Sequence, residues 1–84
     1  MVLRDQAELI TSRAELADFV GKLRTDFKEN PNGWTNASLG SFLEALSAWI
    51  GDMDGYYMNN QLPVPEQPDW RTVAEMLLAA KVYE

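Results

Sequence analysis

Leu39, Phe42, Leu43, Leu46, Trp49, Ile50 and Met53 recur at steps of three and four residues, and this run constrains the fold more than any other feature of the chain. A period of 3.6 puts all seven on one stripe of a helix, whereas a strand would scatter them over both faces. The spacing predicts a helix over about 37–53, opened by Thr35 or Asn36, whose side-chain oxygens can accept from the free amides of a first turn. Gly51 and Gly55 weaken its far end, so the helix is expected to stop between Gly51 and Met58.

A similar stripe precedes it. Leu16, Phe19, Val20, Leu23 and Phe27 keep helical spacing behind Ser12 and Glu15, which form a capping box. This predicts a helix over about 13–29, ended by Asn30, Pro31, Asn32 and Gly33. A third helix, over about 70–83, starts from Asp69 as N-cap and turns Trp70, Val73, Ala74, Leu77 and Leu78 inward, with Glu84 at the negative end of its dipole. Residues 59–68 hold Pro63, Pro65 and Pro68 and read as a connecting loop. Residues 1–11 show no clear period and are assigned to an arm packed on the helices.

The fold expected is all-α: one domain over residues 1–84, a small three-helix bundle or orthogonal array with a short N-terminal arm and a proline-rich loop before the last helix. Phe19, Leu23, Phe27, Phe42, Leu46, Trp49, Leu77 and Leu78 are its expected core. A chain of 84 residues has too little interior for a second core. The short connection near Pro31 favours antiparallel packing of the first two helices. The stripe of the second is long enough for both a core and a dimer seam, so the chain is read as a monomer or a homodimer.

Charge is distributed unevenly. The net charge is −6, yet five basic residues (Arg4, Arg13, Lys22, Arg24, Lys28) balance five acids up to Lys28. Arg71 and Lys81 balance Glu75 and Glu84. The excess lies between Glu29 and Trp70, which hold Glu29, Glu44, Asp52, Asp54, Glu66 and Asp69 with no lysine or arginine. A nucleic acid would be repelled by such a segment, and an anionic membrane surface has no cationic patch to attract it. No stretch approaches the length of a membrane span, and no signal peptide precedes the domain, so a cytoplasmic protein is expected.

Histidine and cysteine are both absent. Their absence removes the usual general base, the Ser-His-Asp and Cys-His nucleophile arrangements, and the commonest metal ligands. Asp52 and Asp54 fail the calcium-loop template, because Tyr57 stands at its glycine position and Pro63 at its glutamate position. No catalytic residue, metal site or cofactor is assigned, and the chain is read as not an enzyme. Asn36-Ala37-Ser38 matches a glycosylation sequon, but its helix-capping use is the simpler reading.

The aromatic residues are concentrated where the acids are. Trp34, Tyr56, Tyr57 and Trp70, with Glu44, Asp52 and Asp54, are the candidate partner-binding residues, since aromatic anchors supply binding energy and acids steer and select a basic partner. Tyr56 and Tyr57 are adjacent and cannot both face inward from a helix. The function is unknown, and the leading expectation is a non-enzymatic protein-interaction module for a basic partner, with an inhibitor or immunity-type role as one form. A small-ligand or metal-ion binding domain is the alternative, and a carboxylate-dependent enzyme ranks third.

Trp34, Asn36, Leu39, Phe42, Leu43, Glu44, Ala45, Leu46 and Trp49, with the ending Ala79, Ala80, Tyr83 and Glu84, resemble a family of short bacterial proteins carrying a domain of unknown function. The resemblance covers about Ser12 to Glu84. It implies the extent of the domain and carries no activity, cofactor or catalytic residue with it.

Overall fold

In the computed structural model, which describes residues 3–83, four α-helices are joined by loops and one 3-10 turn: α1 (Leu3–Glu8), α2 (Arg13–Glu29), the 3-10 turn (Pro31–Gly33), α3 (Leu39–Asn59) and α4 (Trp70–Ala80). The expectations placed on Met1, Val2 and Glu84 lie outside the described residues. The architecture is all-α. Ser12 caps α2 by accepting from the Glu15 amide at 3.1 Å, and the Glu15 carboxylate accepts from the Thr11 hydroxyl at 2.6 Å.

Several expectations are corrected, three of them in the bounds of the elements. The arm contains a helix, α1, which was hidden because six residues are too few to display a period; Ala7 within it and Ile10 just after it are buried in the core. The expected helix over 37–53 begins at Leu39 instead, because Ser38 caps it and Asn36 is engaged elsewhere. That helix also continues past both glycines to Asn59. Met53 and Tyr57 are buried, and their packing outweighs the glycine cost of about 1 kcal/mol each. α3 ends in a Schellman arrangement, Leu62 N–H to Tyr57 C=O at 2.8 Å and Gln61 N–H to Met58 C=O at 3.2 Å. Gln61 adopts φ 57°, the left-handed conformation that glycine usually supplies there.

α4 is the organising element: it packs on α1, α2 and α3, whereas no described Cα of α2 comes within 8 Å of one in α3. The antiparallel pairing expected for these two helices is therefore absent. Trp34 is the reason, since its ring stands between them, edge-on to Phe27 at 5.3 Å and tilted to Phe42 at 6.1 Å. Phe19, Leu23, Ala7, Ile10 and Ala74 form the buried core, joined by Leu3, Leu16, Trp34, Leu77 and Leu78. Phe27, expected inside, is 37% exposed at the edge of α2. Phe42, Leu46 and Trp49 are only half-buried, because the stripe of α3 is wider than the helix it packs on.

Gly51 and Gly55 lie on the outward side of α3, and a Cβ built on either meets no atom within 4 Å. The helix therefore carries their conformational cost without any close approach to justify it. Replacing both by alanine is expected to stabilise the fold by about 1–2 kcal/mol. In a domain this small that is roughly 5–10 °C in Tm by calorimetry. An unchanged or lower Tm would show that this face is covered in solution.

Candidate functional site

The candidate residues do not converge on one place. Trp34 follows the 3-10 turn, and its indole N–H donates to Asp26 Oδ2 at 2.8 Å while Lys81 Nζ donates to the same oxygen at 2.9 Å. The ammonium also lies 5.5 Å from the Trp34 ring centroid. The hydrogen bond from Lys81, and then that from Trp34, hold the Asp26 carboxyl below its ordinary pKa. This is a structural tie between the ends of α2 and α4. Trp70 stands apart at the start of α4, 43% exposed.

Glu44, Asp52 and Asp54 are all exposed on α3. At 100° per residue Asp52 and Asp54 project about 200° apart, so they cannot act on one atom. Among the described residues no three carboxylates are grouped to hold a metal ion. Asp52 accepts from the Tyr83 hydroxyl at 2.6 Å, which raises the Tyr83 phenol above its ordinary value. Of the adjacent tyrosines, Tyr57 is buried, and burial pushes its phenol up; Tyr56 is half-buried.

One cluster does form. Trp49 packs against Tyr56 at 5.2 Å and against Tyr83 at 5.4 Å, with Tyr57 5.2 Å beyond Tyr56. The Trp49 indole N–H is buried without a hydrogen-bond acceptor among the described residues. Trp49 and Tyr56 wall a cleft of about 570 Å³ whose opposite wall is α1, with Arg4 and Glu8, and whose floor is Glu75, Leu78, Ala79 and Val82 of the last helix and its extension. Glu75 is partly withdrawn from water, and this desolvation raises its carboxyl above the ordinary value despite Arg71 at 3.4 Å. Arg4 Nη2 donates to the Tyr56 hydroxyl at 3.2 Å across the cleft mouth.

An apolar floor, an aromatic wall of two rings and the carboxylates of Glu8 and Glu75 suit a cation carried on an apolar stem. Sequence reasoning missed Arg4, Glu8, Glu75 and Tyr83. A signal for Glu75 was present: residues 75, 78, 79 and 82 share one helix stripe, on which a carboxylate accompanies Leu78, Ala79 and Val82. Arg4 and Glu8 gave none, because α1 was not visible as a helix.

Among the described residues no helix is long and apolar enough to cross a membrane. No curated protein and no solved structure matches the chain. The model of a family of unknown function, DUF7660, matches residues 12–84, all of the chain except α1 and the few residues around it, and the chain belongs to that family.

Proposed function

We propose that the chain is a non-enzymatic interaction module that receives a basic side chain of a protein partner in the cleft between α1, α3 and α4. The observation that carries this reading is the pairing of a desolvated carboxylate, Glu75, with the Trp49 and Tyr56 rings over an apolar floor. Arg4 supports it, because the chain's own guanidinium already sits at the Tyr56 hydroxyl in the field of Glu8 and Glu75. The other cation at the cleft, Lys81, is taken by Asp26. The acids of α3 add long-range attraction for a basic partner and set the salt dependence of its capture. An inhibitor or immunity-type role in the cytoplasm is the form of this function that a small acidic domain suits.

The cleft volume favours a second reading, since about 570 Å³ falls within the range of small-molecule sites. Its ligand would be an organic cation with an apolar body.

Glu75→Gln and Tyr56→Ala test the first reading. Wild-type protein immobilised in a lysate of its source is expected to retain a basic protein, released by roughly 1 M salt, where charges are screened within about 3 Å. Glu75→Gln should keep or raise Tm, because an uncharged amide is less penalised by burial, yet lose most of the retention. Equal retention by both folded variants, or retention of acidic proteins only, would count against the proposal. A thermal shift with small organic amines and no protein capture would favour the second reading.

A further inference from the structure

A second groove lies between α2 and α3, which are held apart by Trp34. It encloses about 380 Å³ and is lined by Val20, Leu23, Phe27, Trp34, Leu39 and Phe42. Its rims differ in charge. At 100° per residue Arg13, Val20, Arg24 and Phe27 fall within about 60° on α2, with Lys28 just beyond, while Asp18 and Glu29 of that helix lie on the opposite side. On α3, Leu39, Leu43, Ile50 and Asp54 fall within about 60°, Glu44 lies about 80° further round on the outward side with Gly51 and Gly55, and no cation occurs anywhere along the helix. One rim is therefore apolar and basic, the other apolar and acidic. Arg13, Arg24, Lys28, Glu44 and Asp54 are all exposed, and none enters an ion pair among the described residues.

The apolar part of this surface is large for a free monomer. Leu39 is 74% exposed, Leu43 52% and Ile50 47%, whereas four of the nine buried hydrophobic residues described are alanines. The chain exposes 5884 Å², against about 5,000 Å² for a compact monomer of its size. That difference is spread over the chain, with Leu9, Met58 and Val82 contributing beside the Leu39, Leu43 and Ile50 edge. The radius of gyration, 12.6 Å, likewise exceeds the value of about 11.9 Å expected for this length.

We propose that a second copy of this chain covers the α2–α3 groove, forming a twofold dimer in which the basic α2 rim of each copy meets the acidic α3 rim of the other. Twofold symmetry demands a self-complementary surface, and rims of opposite charge flanking one apolar groove provide it. Each copy then contributes its basic rim once and its acidic rim once, and the Leu39, Leu43 and Ile50 edge leaves water. The surface is distinct from the cleft, so Glu75→Gln leaves dimerisation unchanged and the two readings fail separately.

Sedimentation equilibrium tests the dimer. At about 100 µM, well above a micromolar dissociation constant, the wild-type chain is expected to be dimeric. Reversal of one rim, as Arg13→Glu/Arg24→Glu/Lys28→Glu or as Asp54→Lys, should weaken self-association at least about tenfold by juxtaposing like charges. The two variants mixed together should pair, because each supplies the charge the other lacks. Leu43→Asn should weaken the dimer at least about tenfold while leaving helicity unchanged, since that side chain is half exposed. A monomeric wild type at this concentration overturns the proposal, as does a dimer indifferent to both reversals or the failure of folded reversal variants to pair on mixing.

Discussion

Replacing Phe19 by alanine is expected to remove roughly half of the chain's stability at 25 °C, with far-UV circular dichroism and urea titration as the measurements. Phe19 is 1% exposed and is the one large side chain fully enclosed among the described residues. Its neighbours in the core include Ala7 and Ala74, which have no length with which to fill the space it would leave. A buried phenylalanine reduced to alanine costs about 3–5 kcal/mol in lost transfer energy and cavity. An 84-residue domain holds only roughly 4–12 kcal/mol in total. Phe27→Ala, at the exposed edge of the same helix, should cost well under half as much. A loss below about 2 kcal/mol for Phe19→Ala would mean that the core lies elsewhere.

The second large effect is expected at Asp26. Its carboxylate accepts from both the Trp34 indole and the Lys81 ammonium, and the Lys81 side chain is only 17% exposed. Asp26→Ala leaves a partly buried cation and an indole donor without their acceptor, at a cost of about 2–3 kcal/mol. Replacing both charged partners, as Asp26→Leu/Lys81→Met, should recover much of that loss, because no uncompensated charge then remains. The pH dependence follows from the lowered Asp26 pKa. A carboxyl more acidic in the fold than in the open chain contributes its full stabilisation above the ordinary carboxylate range, about pH 4, and loses it as pH falls through the lower folded value. The acid limb of a stability–pH curve should therefore be shallower in Asp26→Ala. Coincident acid limbs in the two proteins would show that the tie contributes nothing.

How far the fold was legible in the sequence depended on how local its determinants were. α2 could be read because Ser12, Glu15 and the stripe from Leu16 to Phe27 all act within a few residues of one another. The start of α3 could not, because Asn36 donates its side-chain amide to the carbonyl oxygens of Ala80 at 2.9 Å and Tyr83 at 2.8 Å, more than forty positions away. A residue suited to capping was drawn into a tertiary contact, and Ser38 capped the helix with Ser41 in its place. The continuation of α3 through Gly51 and Gly55 likewise rests on burial of Met53 and Tyr57, a property of the partner helix.

The site was legible in composition and illegible in grouping. The acidic, aromatic segment was visible from charge counting, but helix rotation separates Asp54 from Asp52, the Trp34 wedge takes its ring to the other groove, and Trp70 is left alone. The cleft instead recruits Arg4 and Glu8 from α1 and Glu75 from α4. A charge map along the chain cannot anticipate that exchange, since it requires the packing of α4 against both walls.

The central position of α4 also bears on how the chain reaches its fold. α1 and α2 share a modest contact, α3 meets α1 only through the Arg4–Tyr56 hydrogen bond and brings no Cα within 8 Å of either, and all three bury their apolar faces on a helix that begins at Trp70. During synthesis the first three helices leave the ribosome with little to pack against, and stable structure must wait for α4. Folding is then a late, concerted event governed by contacts distant in sequence, which slows it and lengthens the time for which Phe19, Leu23 and Met53 remain open to wrong partners.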